Sequence, residues 1–99
     1  MPSNPGTDER IEHDAASHRF TLSSGAAEAV LDYRERDART LEYYHTFVPE
    51  PMRGRGVASR LVAHALRYAL EQHLAVIPSC QFVAAIIRRQ PEYAAVLHR

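Results

Sequence analysis

The chain has 99 residues, and its 12 basic residues, all arginine, balance 12 acidic residues to a net charge of zero. This length predicts one domain, and the balanced charge argues against a general nucleic-acid-binding surface. A single cysteine excludes an intramolecular disulfide and offers no metal-site spacing, and no apolar run is long enough to span a membrane. We expect a soluble cytoplasmic protein, monomeric or homodimeric, that uses no metal.

Residues 1–10 contain proline, glycine and charges without an apolar period, which predicts a flexible tail before a single domain at 11–99. Three runs in the domain have the two-residue alternation of β-strands. They are Arg19–Leu22, Ala27–Arg34 and Thr40–Val48. Strict alternation along the third run would place one set of side chains on a single face, namely Leu41, Tyr43, His45 and Phe47. The three strands are predicted to form an antiparallel meander.

A broad apolar stripe with helical spacing follows, between Gly56 and His73. The apolar run Leu74–Ile77 predicts a short strand, and residues 81–89 predict a second helix that ends before a proline. A strand that follows a helical crossover usually lies parallel to the strand before the helix. The predicted fold class is therefore α/β (α+β), with an antiparallel β-meander, then a βαβ unit and a C-terminal helix.

The segment Arg53–Ala58, with the sequence RGRGVA, joins the meander to the long helix. The first backbone N–H groups of a helix have no partner within it, and the helix dipole makes that end partly positive. Glycine lets a ligand approach the backbone closely, so a phosphate-bearing ligand is the first functional hypothesis. The segment matches neither the P-loop nor the dinucleotide fingerprint. A glycine turn that only caps the helix is the alternative.

This segment also fits the pattern Arg/Gln-x-x-Gly-x-Gly/Ala, with Arg53, Gly56 and Ala58 in the defining places. It resembles the pyrophosphate-binding motif of the GNAT superfamily of acyl-CoA-dependent N-acyltransferases. The flanking sequence resembles the minimal single-domain branch of that superfamily, roughly from Phe20 onward. The stretches that carry the resemblance are 44–49, 52–62, 76–84 and 87–93.

The resemblance implies a compact GNAT-like fold whose two parallel strands splay apart, with acetyl-CoA (CoA) as co-substrate. Backbone N–H groups of the loop would hold the pyrophosphate, arginine side chains would add charge, and a strand end would bond to the pantetheine arm. The implied cofactor-binding residues are Val48, Arg53, Gly54, Arg55, Gly56, Val57, Ala58 and Ser59. We interpret Arg88 and Arg89 as solvated charges, with a contact to the CoA 3′-phosphate as the alternative.

The catalytic candidates are His45 and Cys80. Cys80 lies at a predicted helix start, where positive partial charge favours a thiolate, and it would either line the acetyl site or form an acetyl-thioester. The alternative is a cysteine that packs as a small buried hydrophobic residue. We favour direct transfer, as most members of the superfamily use it. His45 would take the proton from the attacking amine, because Phe47 stands where many relatives carry a glutamate. A structural histidine in the sheet is the alternative.

The implied function is transfer of an acetyl group to a primary amine: a protein lysine, a protein N-terminus or a small amine. Phe47, Ile86 and Gln90 each replace a polar residue seen in relatives. These replacements leave a second hypothesis, a non-catalytic acyl-CoA-binding sensor or interaction module. A structural domain without CoA affinity is the third hypothesis. CoA binding and turnover with amines distinguish the three.

Overall fold

The computed structural model describes residues 9–98 and shows one five-stranded sheet in the order β1-β2-β3-β4-β5. The strands are β1 (Glu9–Asp14), β2 (Arg19–Ser24), β3 (Ala27–Asp37), β4 (Thr40–Phe47) and β5 (Ala75–Pro78). The first four are antiparallel neighbours, whereas β5 is parallel to β4. The helices are α1 (Val57–Glu71) and α2 (Gln81–Arg89), with 3-10 segments at Glu50–Met52 and Pro91–His98. The predicted fold class and the parallel β4–β5 pair are confirmed.

Strand β1 corrects the prediction of a tail at residues 1–10. Residues 1–8 of that tail lie outside the described part of the chain, but Glu9 and Arg10 begin a strand that pairs with β2 throughout. The sequence ERIEHD conceals this strand, because Ile11 is its single strongly apolar residue. The meander therefore has four strands rather than three.

The ring of His13 holds β1 against the rest of the fold. It stacks on Phe20 with ring centroids 4.1 Å apart, and Tyr68 of α1 meets it edge-on at 4.5 Å. A hydrogen bond of 2.6 Å joins His13 Nε2 to Tyr33 Oη. Burial lowers the pKa of His13, so the ring is neutral near pH 7 and packs as an aromatic side chain. A histidine thus takes the place in β1 that an apolar residue has in the other strands.

Strand β3 is longer than predicted and runs to Asp37, through most of the polar segment that we expected to turn. The actual turn lies at residues 38–39, where Asp37 Oδ1 accepts a hydrogen bond of 2.8 Å from the N–H of Arg39. Because these exposed positions are charged, composition alone gives no sign that the strand continues through them.

Strand β4 carries a β-bulge that ends its regular alternation. Tyr43 lies opposite Tyr33, but the next pair of opposed residues is His45 and Asp32. Tyr44 is therefore an extra residue on β4 with no partner of its own on β3. From this point each β4 side chain lies on the face opposite to the one that strict alternation predicts.

The bulge makes the predicted faces of β4 wrong beyond Tyr43. Residues directly opposite each other in an antiparallel pair share a face, and Thr46 lies opposite Leu31, which is fully buried. Thr46 therefore points to the helix-covered side of the sheet. His45 and Phe47 point to the outer face, where both are exposed.

The core lies on one face of the sheet, beneath α1. Tyr43 is fully buried there, and its hydroxyl donates a hydrogen bond of 2.6 Å to the backbone carbonyl of Ala65. Side chains of α2 and the C-terminal 3-10 segment complete the same cluster: Val83, Ile86, Ile87, Tyr93 and Val96. Ile86 is thus a core residue. No helix in the described range is long and apolar enough to cross a membrane.

Candidate functional site

The parallel strands β4 and β5 separate at one end and form a fork. Their last residue pair is Tyr43 with Pro78, and the N–H of Cys80 adds a hydrogen bond of 3.1 Å to the carbonyl of Tyr43. Strand β4 continues to Phe47 with no further β5 partner among the described residues. Its edge therefore presents backbone N–H and C=O groups to a ligand in the fork.

The loop that leaves β4 leads directly to the first turn of α1. A short 3-10 turn with the buried side chain of Met52 anchors it. Gly54 and Gly56 have φ angles of 79° and 72°, in the left-handed region that glycine adopts without strain. Gly56 is the N-cap residue of α1 and has no side chain that could cap the helix. The first helical hydrogen bond runs from the N–H of Arg60 to the carbonyl of Gly56. The N–H groups of residues 57–59 therefore precede the helical ladder.

The fork and the loop line one cavity of about 410 Å³. Its lining residues are Thr46, Phe47, Val48, Met52, Arg53, Gly54, Gly56, Val57, Ala58, Ser59 and Phe82. This set contains every predicted cofactor-binding residue except Arg55. Sequence reasoning missed the contribution of Thr46 and Phe82, since the bulge determines the first and the packing of α2 determines the second. No signal in the sequence marks Phe82 as a lining residue, because its 53% exposure is known only from the structure.

The electrostatic character of the cavity is positive. Arg53 lines it and donates from Nε a hydrogen bond of 2.9 Å to the carbonyl of Val48, which joins the two ends of the loop. The side chain of Arg55 is exposed, and it has no ion pair or hydrogen bond with the described residues. None of the described residues that line it carries a carboxylate. Free helix N–H groups, two glycines and unopposed arginine charge together suit an anionic phosphate group.

Arg60 supports the loop from the side of β1. Its Nη1 donates a hydrogen bond of 2.8 Å to the carbonyl of Arg55, and its Nε donates one of 3.0 Å to the carboxylate of Glu9. A second bond, from Nη2 to the same carboxylate, makes the Glu9–Arg60 pair bidentate. A Cβ placed on Gly56 would lie 3.3 Å from Arg60 Nη1, so the guanidinium also occupies the space beside that glycine. Arg60 is therefore a positioning residue for the loop.

Replacing Arg60 with Gln is expected to weaken acetyl-CoA binding about tenfold, or about 1.4 kcal/mol, because the loop amides lose their fixed geometry. Affinity for pantetheine, which lacks phosphate, should stay the same. Calorimetric titration with both ligands measures the two effects. Arg67→Gln is the matched control, since Arg67 lies on the same helix and is exposed but contacts Tyr93 rather than the loop. Equal losses for both ligands in Arg60→Gln would contradict the positioning role.

Cys80 lies behind the cavity wall rather than in it. Its Sγ is 3.3 Å from Thr46 Oγ1, and the residue is 9% exposed. Thr46 lines the cavity, so it is the contact between the cysteine and the space in the fork. Cys80 is also the N-cap residue of α2, and it makes no side-chain cap there. The side chain of Thr46 thus lies between Cys80 and the cavity.

His45 is separated from Cys80 by the thickness of the sheet. The bulge turns its exposed ring to the outer face, opposite Asp32, and it does not line the cavity. Within residues 9–98 no group of three or more His, Cys, Asp or Glu side chains is arranged to hold a metal ion.

Comparisons with known proteins agree with this geometry. The family model described as GCN5-related N-acetyl-transferase matches residues 19–96. Protein NATD1 of Bos taurus is 31% identical over 96 residues, which covers 90% of this chain and 85% of that protein. Protein NATD1 of Homo sapiens is 32% identical over 84 residues, covering 83% of this chain and 74% of that protein.

Among solved structures, the NMR solution structure of a GCN5-like protein from Staphylococcus aureus superimposes with a TM-score of 0.70. The two sequences are 25% identical, and the match covers 91% of this chain and 88% of that one. A match of this extent takes in most of the domain, so the predicted GNAT-like fold is confirmed.

Proposed function

The chain belongs to the GCN5-related N-acetyltransferase family, and we propose that it transfers an acetyl group from acetyl-CoA to a primary amine. The observation that carries this proposal is the single cavity that joins the glycine loop to the open edge of β4. A thioester ligand with a phosphate-bearing tail would contact both the glycine loop and the open edge of β4. The loop would hold the phosphates, and the strand edge would orient the arm that carries the acyl group.

The loop fits a pyrophosphate by its backbone rather than by its side chains. The N–H groups of Val57, Ala58 and Ser59 are available at the positive end of α1. Gly54 and Gly56 carry no side chain that would stand between these groups and a ligand. Arg53 and Arg55 add charge at the mouth of the same loop. Bound acetyl-CoA would supply the acetyl group as an activated thioester.

The proposed reaction forms a C–N bond and breaks the thioester C–S bond. The amine loses a proton, and the departing CoA sulfur gains one. A backbone N–H near Val48 would polarise the thioester carbonyl. His45 would serve as the base for an amine that enters from the outer face, where its exposed ring lies. This role stays a prediction, and loss of turnover with intact acetyl-CoA binding in His45→Gln would support it.

The acceptor that we propose is an amine on a protein, either a lysine or an N-terminus. Two of the residues that line the cavity are exposed aromatic side chains, Phe47 at 48% and Phe82 at 53% exposure. An exposed lining of this kind admits a side chain that stays attached to a large molecule. A small polyamine would need carboxylates, and none of the described lining residues provides one.

Calorimetric titration with acetyl-CoA, with free CoA as comparison, tests the first half of the proposal. We expect binding of both ligands, followed by acetylation of an amine in a turnover assay with peptides and small amines. Cys80→Ala should keep its activity, because we propose direct transfer and the thiol lies behind Thr46. Complete loss of turnover in Cys80→Ala with intact CoA binding would instead favour an acetyl-cysteine route.

A non-catalytic acyl-CoA-binding module is the second candidate. One observation favours it: among residues 9–98, those that line the cavity include no carboxylate and no imidazole that would take a proton. This candidate predicts acetyl-CoA binding without turnover on any amine. Absence of all CoA affinity would exclude both candidates and leave a structural domain.

A further inference from the structure

The carboxylate of Glu42 lies on the outer face of the sheet, beside the point where β4 and β5 separate. Glu42 is paired with Ile77 of β5, one position before the last residue pair of the two strands. Its Oε2 accepts a hydrogen bond of 2.5 Å from the hydroxyl of Ser79, the residue that follows β5. This length is typical of a hydroxyl that bonds to a charged carboxylate, which is one of the stronger hydrogen bonds in proteins. The Glu42–Ser79 bond therefore joins β4 to the chain that leaves β5.

This side-chain bond lies where the backbone ladder between the two strands changes register. In a parallel pair every second residue donates its N–H to the same neighbouring strand, and Ala75 is such a donor, to the carbonyl just before β4. The same spacing predicts that Ser79 would donate to the carbonyl of Tyr43. Instead, the N–H of Ser79 bonds to the carbonyl of Ile77 at 3.1 Å, and the N–H of Cys80 bonds to the carbonyl of Tyr43. The hydroxyl of Ser79 thus attaches to β4 a residue whose backbone N–H does not.

The second carboxylate oxygen of Glu42 is connected to the β-bulge. Arg36 Nη1 donates a hydrogen bond of 3.1 Å to Oε1, and Arg34 Nη1 lies 3.7 Å from the same oxygen. The guanidinium of Arg34 also covers the ring of Tyr44, the extra residue of the bulge, with Cζ 4.0 Å from the ring centroid. The bond from Ser79 and the two arginines lower the pKa of Glu42, so its carboxylate is charged near pH 7. One charged group therefore contacts both the end of β5 and the arginine that packs on the bulge.

We propose that Glu42 is a positioning residue for acetyl transfer, because it fixes the two strands of the fork relative to each other through Ser79 and Arg34. The inference rests on the proposed function, since it concerns the same site. Thr46 and Phe47 follow the bulge directly and lie on the open edge of β4. A shift of the bulge or of the strand separation therefore moves the groups that would orient the thioester. Glu42 itself does not line the cavity, so its effect would pass through these neighbours.

Ser79→Ala, which removes the hydroxyl at an exposed position, is the first test. We expect kcat to fall about tenfold, because a displaced thioester reacts more slowly, and KM for acetyl-CoA to change less than about twofold, because the glycine loop still binds the phosphates. Initial rates with acetyl-CoA and a peptide that carries a lysine and a free N-terminus measure both constants. Ser79→Thr keeps the hydroxyl and should retain the wild-type kcat. A merely structural role of Ser79 would lower the thermal stability without this selective effect on kcat.

A double-mutant cycle tests whether Ser79 acts through Glu42. Glu42→Ala should lower kcat at least as much as Ser79→Ala does, and the double variant should match Glu42→Ala, since the hydroxyl has then lost its partner. Ser23→Ala is the matched control, because Ser23 donates a hydrogen bond of 3.3 Å to the carboxylate of Glu28 between β2 and β3, and neither residue lines the cavity. This control should keep the wild-type kcat.

A wild-type kcat in Ser79→Ala, or an equal loss in Ser79→Thr, would overturn the proposal while leaving the proposed function intact. Losses that multiply in the double variant would overturn it too, because Ser79 and Glu42 would then act separately. Absence of turnover by the wild-type protein, with the peptide and with small amines, would instead refute the proposed acetyl transfer and with it the role of Glu42.

Discussion

Gly56→Val is expected to abolish detectable acetyl-CoA binding in a calorimetric titration. Gly56 has a φ of 72°, and a side chain in this left-handed conformation costs roughly 1–2 kcal/mol, more for a β-branched one. The new Cβ would also lie 3.3 Å from Arg60 Nη1 and displace the guanidinium that holds the carbonyl of Arg55. Both effects move the backbone N–H groups that would face the phosphates.

Gly25→Val is the matched control for this prediction. Gly25 has a φ of 60°, so the substitution strains the backbone in the same way, but a Cβ placed on Gly25 would have nothing within 4 Å. It lies in the turn between β2 and β3, and it does not line the cavity at the fork. Its acetyl-CoA affinity should match the wild type even though its thermal stability falls. Unchanged affinity in Gly56→Val would refute the phosphate loop.

Phe20→Ala is expected to reduce the free energy of unfolding by roughly 3–5 kcal/mol. Phe20 is fully buried, and its ring contacts those of His13, Tyr43 and Tyr68 at centroid distances of 4.1, 6.0 and 5.6 Å. Its removal leaves a cavity where β1, the sheet and α1 meet. A domain of this size has about 5–15 kcal/mol of stability, so the variant should be close to unfolding at growth temperature.

Urea denaturation followed by circular dichroism measures this loss. Phe82→Ala makes the same chemical change at a site that is 53% exposed, and its midpoint should shift little. A similar shift in both variants would show that Phe20 is not a centre of the core. Retained β1 packing in Phe20→Ala, seen as unchanged amide protection of residues 9–14, would show that His13 needs no stacking partner.

The sequence was sufficient to predict the helices and the parallel β4–β5 pair, because the core side chains repeat at helical or strand spacing. It also identified the loop residues that line the cavity, since glycine and arginine before a helix have a local physical meaning. Strand β1 escaped detection because its stabilising contact, His13 on Phe20, is tertiary. The sequence did not predict the bulge at Tyr44, because one unpaired residue does not change the composition of the strand. That residue nevertheless determines which face of the sheet His45 occupies.

The Glu9–Arg60 pair links the N-terminal strand to the loop that we propose as the phosphate site. Arg60 bonds to Glu9 on one side and to the carbonyl of Arg55 on the other. Coupling between the docking of β1 and the binding of a ligand is reciprocal. If docked β1 increases the affinity for the ligand, the bound ligand stabilises the docked state of β1 by the same free energy. Ligand occupancy should therefore be measurable at a distance, as slower hydrogen exchange of the β1 amides.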